Sequence, residues 1–394
     1  MWQYRHIVET DFSETANNPR AEIDAIDGEL LRLLNRRAEI ALRVGAIKKD
    51  DDKSLCDPLR ESEVLARLCK ENSGPFDEQG IANIFQRIID ESLHLQQKTY
   101  YKSFGNTNAA KTDFENLAGK SRVAFLGERG TFSETAAITG LGENCQTVSC
   151  PTFEDLFKAI ERGQADFILT PLENSLVGSV HRCYDLLLQS SLGIVAEIVL
   201  PVAHFLIGCQ EASLETIQTV ESHPVALAQC ERFFAAHPHL KGIAADDTAG
   251  SVKRAVESND ATRAAIGGRR AATIYGGKIL REHIEDHAEN YTRFALLSAE
   301  TAPDEKGDKI SLVVRLTHRP GALHDALRPF VRRGIDLLKI ESRPIKDLPS
   351  QFNFYLDLKA PAIESELRGA LEDIKVQAAT VRYLGRYSTI KVKK

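Results

Sequence analysis

From Pro19 onward the chain places Ile26, Leu30, Leu33, Arg37, Ala41, Val44 and Lys48 at steps of four or three residues. That spacing draws one face of an α-helix. Arg37 and Lys48 put two cations on the apolar stripe, and charges buried there need acidic partners or an anionic ligand. Between Arg20 and Lys48 the helix would run ~44 Å at 1.5 Å per residue. A compact unit of this size does not cover such a length alone, which implies a partner chain. Arg20 lies about 100° off the stripe and suits a different pocket. A further helix carries Ile81, Phe85 and Ile88, with Ser92 and Gln96 continuing its apolar line one turn apart. Asp57-Pro58-Leu59-Arg60-Glu61 lies between the two helices.

Periodicity is lost over residues 101–120, which collect Lys, Ser, Gly, Asn and Thr and read as a linker. At Arg122 the pattern changes to short β-rich runs alternating with helices. Val123–Leu126, Asp166–Leu169, Gly193–Ala196, Leu206–Gly208, Thr219–Glu221 and Ala264–Gly267 read as strands. Thr152 opens a helix with Asp155 at capping-box spacing. Such alternation predicts parallel-type sheets over 121–300, in two lobes with a cleft between them. Asn290-Tyr291-Thr292-Arg293-Phe294 precedes the apolar run Ala295-Leu296-Leu297. Strand alternation points Tyr291 and Arg293 one way, Thr292 and Phe294 the other. The last segment, 305–394, orders as strand 309–316, helix 321–332, strands 335–343 and 351–358, helix 362–374 and strand 380–387. That order is ferredoxin-like.

Composition narrows the function class. The 394 residues are 43% hydrophobic and 27% charged, with a formal net charge of −6, so a globular chain without generic nucleic-acid affinity is expected. No apolar run approaches the ~20 residues of a membrane span. Residues 1–18 mix charges throughout and read as an extension, not a signal peptide. Seven cysteines without a C-x-x-C pair read as reduced thiols of a cytoplasmic protein. Anionic ligands must then meet locally placed cations.

Taken in order and spacing, Arg20, Arg37, Lys48, Asp57, Arg60, Glu61, Ser92 and Gln96 resemble the active-site pattern of the all-helical chorismate mutases, across residues 19–100. The resemblance implies an intertwined helical homodimer, or a higher assembly, in which Arg20 serves the partner's pocket. It also implies rearrangement of chorismate to prephenate with no cofactor and no metal. Arg20 and Arg37 suit the carboxylates as bidentate donors. Lys48 and Gln96 would donate to the ether oxygen, Glu61 would accept from the ring hydroxyl, and Arg60 would offset Glu61. Asp57 and Ser92 complete the pocket.

Polar loops of the α/β region repeat the exercise: Gly127–Ser133, Thr170-Pro171-Leu172-Glu173-Asn174-Ser175, Ser222-His223-Pro224 with Gln229, and Asp247-Thr248-Ala249. With Thr292-Arg293-Phe294 they resemble prephenate dehydratase over about 121–300. The resemblance implies conversion of prephenate to phenylpyruvate, Thr292 as the essential hydroxyl, and Arg293 on a substrate carboxylate. Glu173, Asn174, Ser222 and Gln229 would line the cleft, and either Thr292 or Glu173 would deliver the proton. Asp246 stands where some relatives have Glu, and its role stays open. Arg319-Pro320-Gly321-Ala322-Leu323 and Glu341-Ser342-Arg343-Pro344 resemble the effector motifs of ACT domains. That implies L-phenylalanine as feedback inhibitor, with Gly321, Ala322, Leu323, Glu341 and Ser342 as its contacts. His283 and His287 have the spacing of a helical metal pair, but no third ligand accompanies them. A two-lobed core also serves ligand receptors; the eight-residue helical constellation argues against that alternative.

Overall fold

The computed structural model describes residues 19–50, 55–100, 121–300, 307–345, 348–361 and 363–393. The extension at 1–18 and the linker at 101–120 lie outside them. By compactness the chain divides into two units. One takes residues up to Asn106 together with Leu327–Ile335 and Pro361–Asp373; the other takes Thr107–Ala326, Asp336–Ala360 and Ile374–Lys394.

In the first unit, α1 (Pro19–Asp50), α2 (Pro58–Glu71) and α3 (Glu78–Tyr100) are the helices that the periodicity predicts. Helix α1 opens on proline, whose fixed φ and missing N–H suit a first turn. The Asp57 carboxylate caps α2 by accepting from Arg60 N at 3.2 Å, and Pro58 follows in the first turn. Leu93 and Ile89 of α3 are buried, yet Ile26, Leu30 and Val44 of α1 are 58%, 50% and 45% exposed. The stripe expected to be buried is therefore uncovered over most of its length within one chain. Helix α3 shields it only around Arg37, Ala41 and Gly45.

The second unit is built on two sheets. Its first lobe carries β1 (Arg122–Leu126), α4 (Phe132–Leu141), β2 (Gln146–Cys150), α5 (Phe153–Lys158), β3 (Phe167–Asn174), β4 (Gly178–Ser179), α6 (His181–Gln189) and β5 (Gly193–Pro201). The chain then enters the second lobe. There β6 (Phe205–Gly208), β7 (Thr219–Ser222), α7 (Pro224–Ala228), α8 (Glu231–Ala236), β8 (Lys241–Ala244), α9 (Thr248–Glu257), β9 (Arg263–Gly267), α10 (Arg269–Tyr275) and β10 (Lys278–Arg281) follow. It returns as β11 (Tyr291–Ser298).

Neither sheet is purely parallel, contrary to the expectation. Strand β1 runs parallel to β2 and β3, but β11 lies antiparallel between β3 and β5. In the other sheet, of order β10-β6-β9-β7-β8, β6 is antiparallel to β9 and β10. The reason is the double crossing. The chain leaves the first lobe along β5 and comes back beside it along β11, so the two strands must run in opposite directions. The crossing segments also bond to each other, Val202 N to Asn290 O at 2.8 Å and Ile284 N to His204 O at 3.0 Å. Residues 282–290 are not helical, so His283 and His287 do not form the i, i+4 pair.

The C-terminal region follows as β12 (Lys309–Arg315), α11 (Ala322–Arg332), β13 (Leu337–Ile345), β14 (Leu348–Lys359), α12 (Glu364–Gln377) and β15 (Thr380–Lys391). Its strands pair antiparallel in the order β13-β14-β12-β15. Strand β15 runs beyond the predicted end at 387, and Ser388–Lys391 pair parallel with Ala196–Val199 of β5. One sheet therefore continues from β13 through to β2. Ile390 packs on the cluster of Val123, Leu169, Ile198 and Phe294, which explains the extra length. No helix among the described residues is long and apolar enough to cross a membrane.

Gly130, in the loop after β1, has φ +90°, and a Cβ there would stand 2.8 Å from the Ala271 Cα of α10. Gly130→Ala is expected to cost about 1–3 kcal/mol, read as a lower urea midpoint for the second unit. A wild-type midpoint would mean that the two backbones do not approach so closely.

Candidate active sites

In the first unit, Arg37, Ala41, Val44 and Lys48 of α1, Asp57, Arg60 and Glu61 at the start of α2, and Ser92 and Gln96 of α3 line one open pocket of about 380 Å³. Helical spacing accounts for the grouping, since positions three, four and eleven apart share a face. Arg37 Nη1 donates to Ser92 Oγ at 2.6 Å and to Ile88 O at 3.4 Å. Burial lowers the Arg37 pKa from its very high ordinary value. Lys48 Nζ donates to Leu55 O at 3.1 Å and stands 3.6 Å from the Asp57 carboxylate. Gln96 is buried, and its amide donates to Ala41 O.

One expectation changes here. Arg60 pairs with Glu63 at 3.1 Å, not with Glu61, because residues three apart are neighbours on a helix. Glu61 pairs instead with Arg332 of α11, which also reaches Asp90 at 3.0 Å. No local pattern announces a partner 271 positions away. Arg20 is not among the lining residues. It lies 17 residues before Arg37 on the same helix, ~26 Å along the axis.

In the second unit, Thr292 sits on β11 opposite Asn174 of β3 and Leu200 of β5. Asn174 Nδ2 donates to Thr292 Oγ1 at 3.1 Å, to Tyr291 O at 3.2 Å and to Asn290 Oδ1 at 2.8 Å. Its Oδ1 accepts from Leu176 N at 3.0 Å and lies 3.5 Å from Gln229 Nε2. Gln229 Oε1 accepts from Asn290 Nδ2 at 3.1 Å and meets His204 Nε2 at 2.7 Å. Burial holds the His204 pKa below the ordinary histidine value, against the hydrogen bond to Gln229. A neutral imidazole with its proton on Nε2 fits that contact, because Gln229 Oε1 can only accept. Both lobes and both crossings thus meet in one amide network. Its effect on Thr292 is specific: the hydroxyl oxygen accepts from Asn174, leaving its own proton to donate elsewhere.

His204 and Asn290 did not figure among the predicted site residues. The signal available was Asn290 beside the Thr-Arg-Phe triplet; for His204 there was none.

Arg293 faces the other way, as alternation requires, and in this structure its guanidinium meets carboxylates of the protein itself. Its guanidinium pairs with Glu173 at 2.7 Å, Glu197 at 2.5 Å and Asp357 at 2.7 Å. Lys339 meets Glu173 at 2.9 Å and Lys309 meets Glu197 at 2.6 Å. Burial alone would lower the Arg293 pKa, but Glu197 and Asp357 raise it well above its ordinary value. Burial likewise opposes ionisation of Glu173 and Glu197, and their cations outweigh it, so both are held below the ordinary carboxylate range. Glu173 therefore lies on the far face from Thr292, beside Arg293 and Lys339.

Ser222 stands at the end of β7. It is fully buried and its hydroxyl donates to Ile266 O at 2.8 Å. Asp246 is exposed after β8, while Asp247 caps α9. Gly321, with φ +79°, precedes α11, where Ala322 and Leu323 are half-buried. On β13, Glu341 accepts from Ser179 Oγ at 2.6 Å, and Ser342 is exposed.

Comparison with known proteins now has two sites to account for. The family model for chorismate mutase type II matches residues 19–97, and that for prephenate dehydratase matches 123–302. A bifunctional chorismate mutase/prephenate dehydratase of Neisseria gonorrhoeae is 36% identical over 371 residues, 94% of this chain and 96% of that one. The chain belongs to this bifunctional family. The Escherichia coli K12 member is 31% identical over 383 residues, 95% of this chain and 97% of its own. Among solved structures, prephenate dehydratase from Arthrobacter aurescens in complex with L-Phe superposes with TM-score 0.63 at 30% identity, covering 68% of this chain and 90% of that one. A quorum-quenching acylase, GqqA, reaches TM-score 0.62 at 30% identity over 68% of this chain and 97% of its own. The α/β fold by itself does not name a reaction. The helical half and the full-length bifunctional relatives do.

Arg293→Met is expected to destabilise the second unit by about 3–5 kcal/mol at pH 7, since it strands buried carboxylates. Glu173 and Glu197 have depressed pKa values, so their contribution is complete above the ordinary 4.5 and lost as pH falls below it. The gap in thermal midpoint between variant and wild type should narrow on acidification. Equal midpoints at pH 7 would rule out the charge-balanced cluster.

Proposed function

We propose that the helical pocket rearranges chorismate to prephenate, and that the Thr292 site converts prephenate to phenylpyruvate, carbon dioxide and water in phenylalanine biosynthesis. The reading places the enzyme in the cytoplasm. The observation that carries it is the single pocket lined by Arg37, Lys48, Asp57, Arg60, Glu61, Ser92 and Gln96.

The mutase reaction is unimolecular and needs no nucleophile. The pocket holds the dianion folded and stabilises charge on the breaking ether oxygen. Lys48 and Gln96 donate to that oxygen, Arg37 binds a carboxylate, and Glu61 accepts from the ring hydroxyl. An intertwined homodimer is the arrangement that covers the exposed α1 stripe and brings the partner's Arg20 to the open pocket.

In the dehydratase step, the bond to the ring carboxylate breaks as CO2 leaves, and its electron pair moves through the ring. The ring hydroxyl departs, takes up a proton and becomes water; aromatisation drives the step. Thr292 is the group that assists the departing hydroxyl, because Asn174 donates to its oxygen and Glu173 is held ionised on the other face.

The C-terminal region is read as an ACT domain that binds L-phenylalanine through Gly321, Ala322, Leu323, Glu341 and Ser342 and inhibits the dehydratase. Its βαββαβ order and the strand order β13-β14-β12-β15 support a ferredoxin-like fold.

Arg37→Ala and Lys48→Ala are expected to lower mutase kcat/KM on the order of a hundred-fold, with phenylpyruvate formation from supplied prephenate unchanged. Thr292→Ala should do the converse. Mutase activity within a few-fold of wild type in either of the first two variants would refute the helical site. Mixing Arg20→Ala with Lys48→Ala subunits should restore part of the mutase activity, because the mixed dimer regains one intact pocket. No recovery after verified subunit exchange would place the site within a single chain.

A further inference from the structure

Thr292 and Arg293 are joined by one peptide unit, as are Asn174 and Glu173 on the adjacent strand. One pair faces the amide network, with Asn174 Nδ2 3.1 Å from Thr292 Oγ1. The other pair faces away, with Arg293 and Glu173 2.7 Å apart. Each member of the outward pair also holds an ion from the C-terminal sheet. Arg293 is 2.7 Å from Asp357 of β14, and Glu173 is 2.9 Å from Lys339 of β13. Lys339 donates to Ser179 Oγ at 2.8 Å, and that hydroxyl donates to Glu341 at 2.6 Å. Glu341 is two positions along β13 from Lys339 and faces the same way.

We propose that Asp357 and Lys339 are positioning residues for the dehydratase: the ring Asp357–Arg293–Glu173–Lys339 carries movement of the C-terminal sheet to Thr292. The proposal rests on the effector reading above and supplies its mechanical route. The C-terminal end of the ring is anchored by two further hydrogen bonds. Asp357 accepts from Ser311 Oγ at 2.6 Å, and Ser311 is 2.7 Å from the hydroxyl of the fully buried Tyr387. The other end offers little slack, since adjacent Cα atoms are ~3.8 Å apart across a planar peptide. Parting a buried ion pair leaves uncompensated charge. Strands β3 and β11 must therefore follow their counter-ions or the cluster must rearrange in a discrete step, and discrete rearrangement is the behaviour of a switch. Either response moves the Asn174–Thr292 contact.

The test uses the full chain as wild type, Asp357→Asn, Asp357→Glu and Lys339→Gln. Dehydratase rate is followed against L-phenylalanine concentration, phenylalanine binding is measured by calorimetry, and mutase rate serves as the folding control. Asp357→Asn and Lys339→Gln should bind phenylalanine within roughly three-fold of wild type, yet lose about ten-fold or more of the coupling between that binding and the dehydratase rate. Asp357→Glu, which keeps the charge, should recover part of it. Wild-type inhibition in both neutralised variants would overturn the relay. So would loss of phenylalanine binding, since it would make these residues effector contacts. If wild type bound no phenylalanine at all, the effector reading would fall first and the relay with it. Should Asp357→Asn not fold, Lys339→Gln decides the matter alone.

Discussion

The second unit hangs on one charge-balanced cluster. Arg293 comes from β11, Glu173 from β3, Glu197 from β5, Lys309 from β12, Lys339 from β13 and Asp357 from β14. Thr389 of β15 adds a hydroxyl to Glu197 at 3.3 Å. These are seven consecutive strands of the long sheet, and each contributes one polar group to the same knot. Such ions cost several kcal/mol each to desolvate, so they are tolerable only as a complete set. Three cations against three carboxylates is such a set. The cluster engages the guanidinium donors of Arg293 on its face of β11. Thr292, one residue earlier, is left to the opposite face.

The first unit shows the reverse economy. Arg37 and Lys48 reach a hydroxyl, carbonyls and a half-exposed Asp57, not a full complement of carboxylates. Excess positive charge in an apolar-walled pocket is what a dianionic substrate would complete. The same helix leaves its apolar stripe open before the pocket, at Ile26 and Leu30. A helix of this length buries one face only against something equally long, and in the proposed homodimer a second copy of α1 would meet that need by symmetry.

What could be read from the sequence was whatever has a local period. The steps of four and three in α1, the capping residue Thr152, and the alternation at 291–294 all state their geometry within a few residues. The order of strands and helices in the C-terminal region was legible for the same reason. What escaped depends on who sits next to whom across the fold. The antiparallel placement of β11 follows from the chain leaving one lobe and returning, which no window of residues records. Arg332 beside Glu61 and Asp357 beside Arg293 are partners by tertiary accident of position. Ser222 has a tertiary bond that its local sequence does not announce. A serine at a strand end before a helix reads as a cap or a ligand, whereas here it ties β7 to β9 through Ile266 O. His204 is the converse case, a crossing residue that nothing in the sequence marks.

Neither site contains a nucleophile held by a base, and the chemistry explains why neither needs one. A pericyclic rearrangement requires a folded reactant and donors at one oxygen. Elimination driven by aromatisation requires help for one leaving group. Both are problems of placing a few hydrogen-bond donors where charge appears, with the donors oriented beforehand. In the proposed reading, the first unit meets this with long cationic side chains on helices, where positions along α1 set the spacing. The second meets it with a short hydroxyl, whose direction must then be set by its neighbours. That is the work of Asn174, Gln229, Asn290 and His204, and it makes Thr292 as dependent on its backbone as Lys48 is independent of it. A donor with no reach of its own can be turned off by moving the strand that carries it. On this argument the dehydratase, more than the mutase, is the half that a movement of the C-terminal sheet can govern.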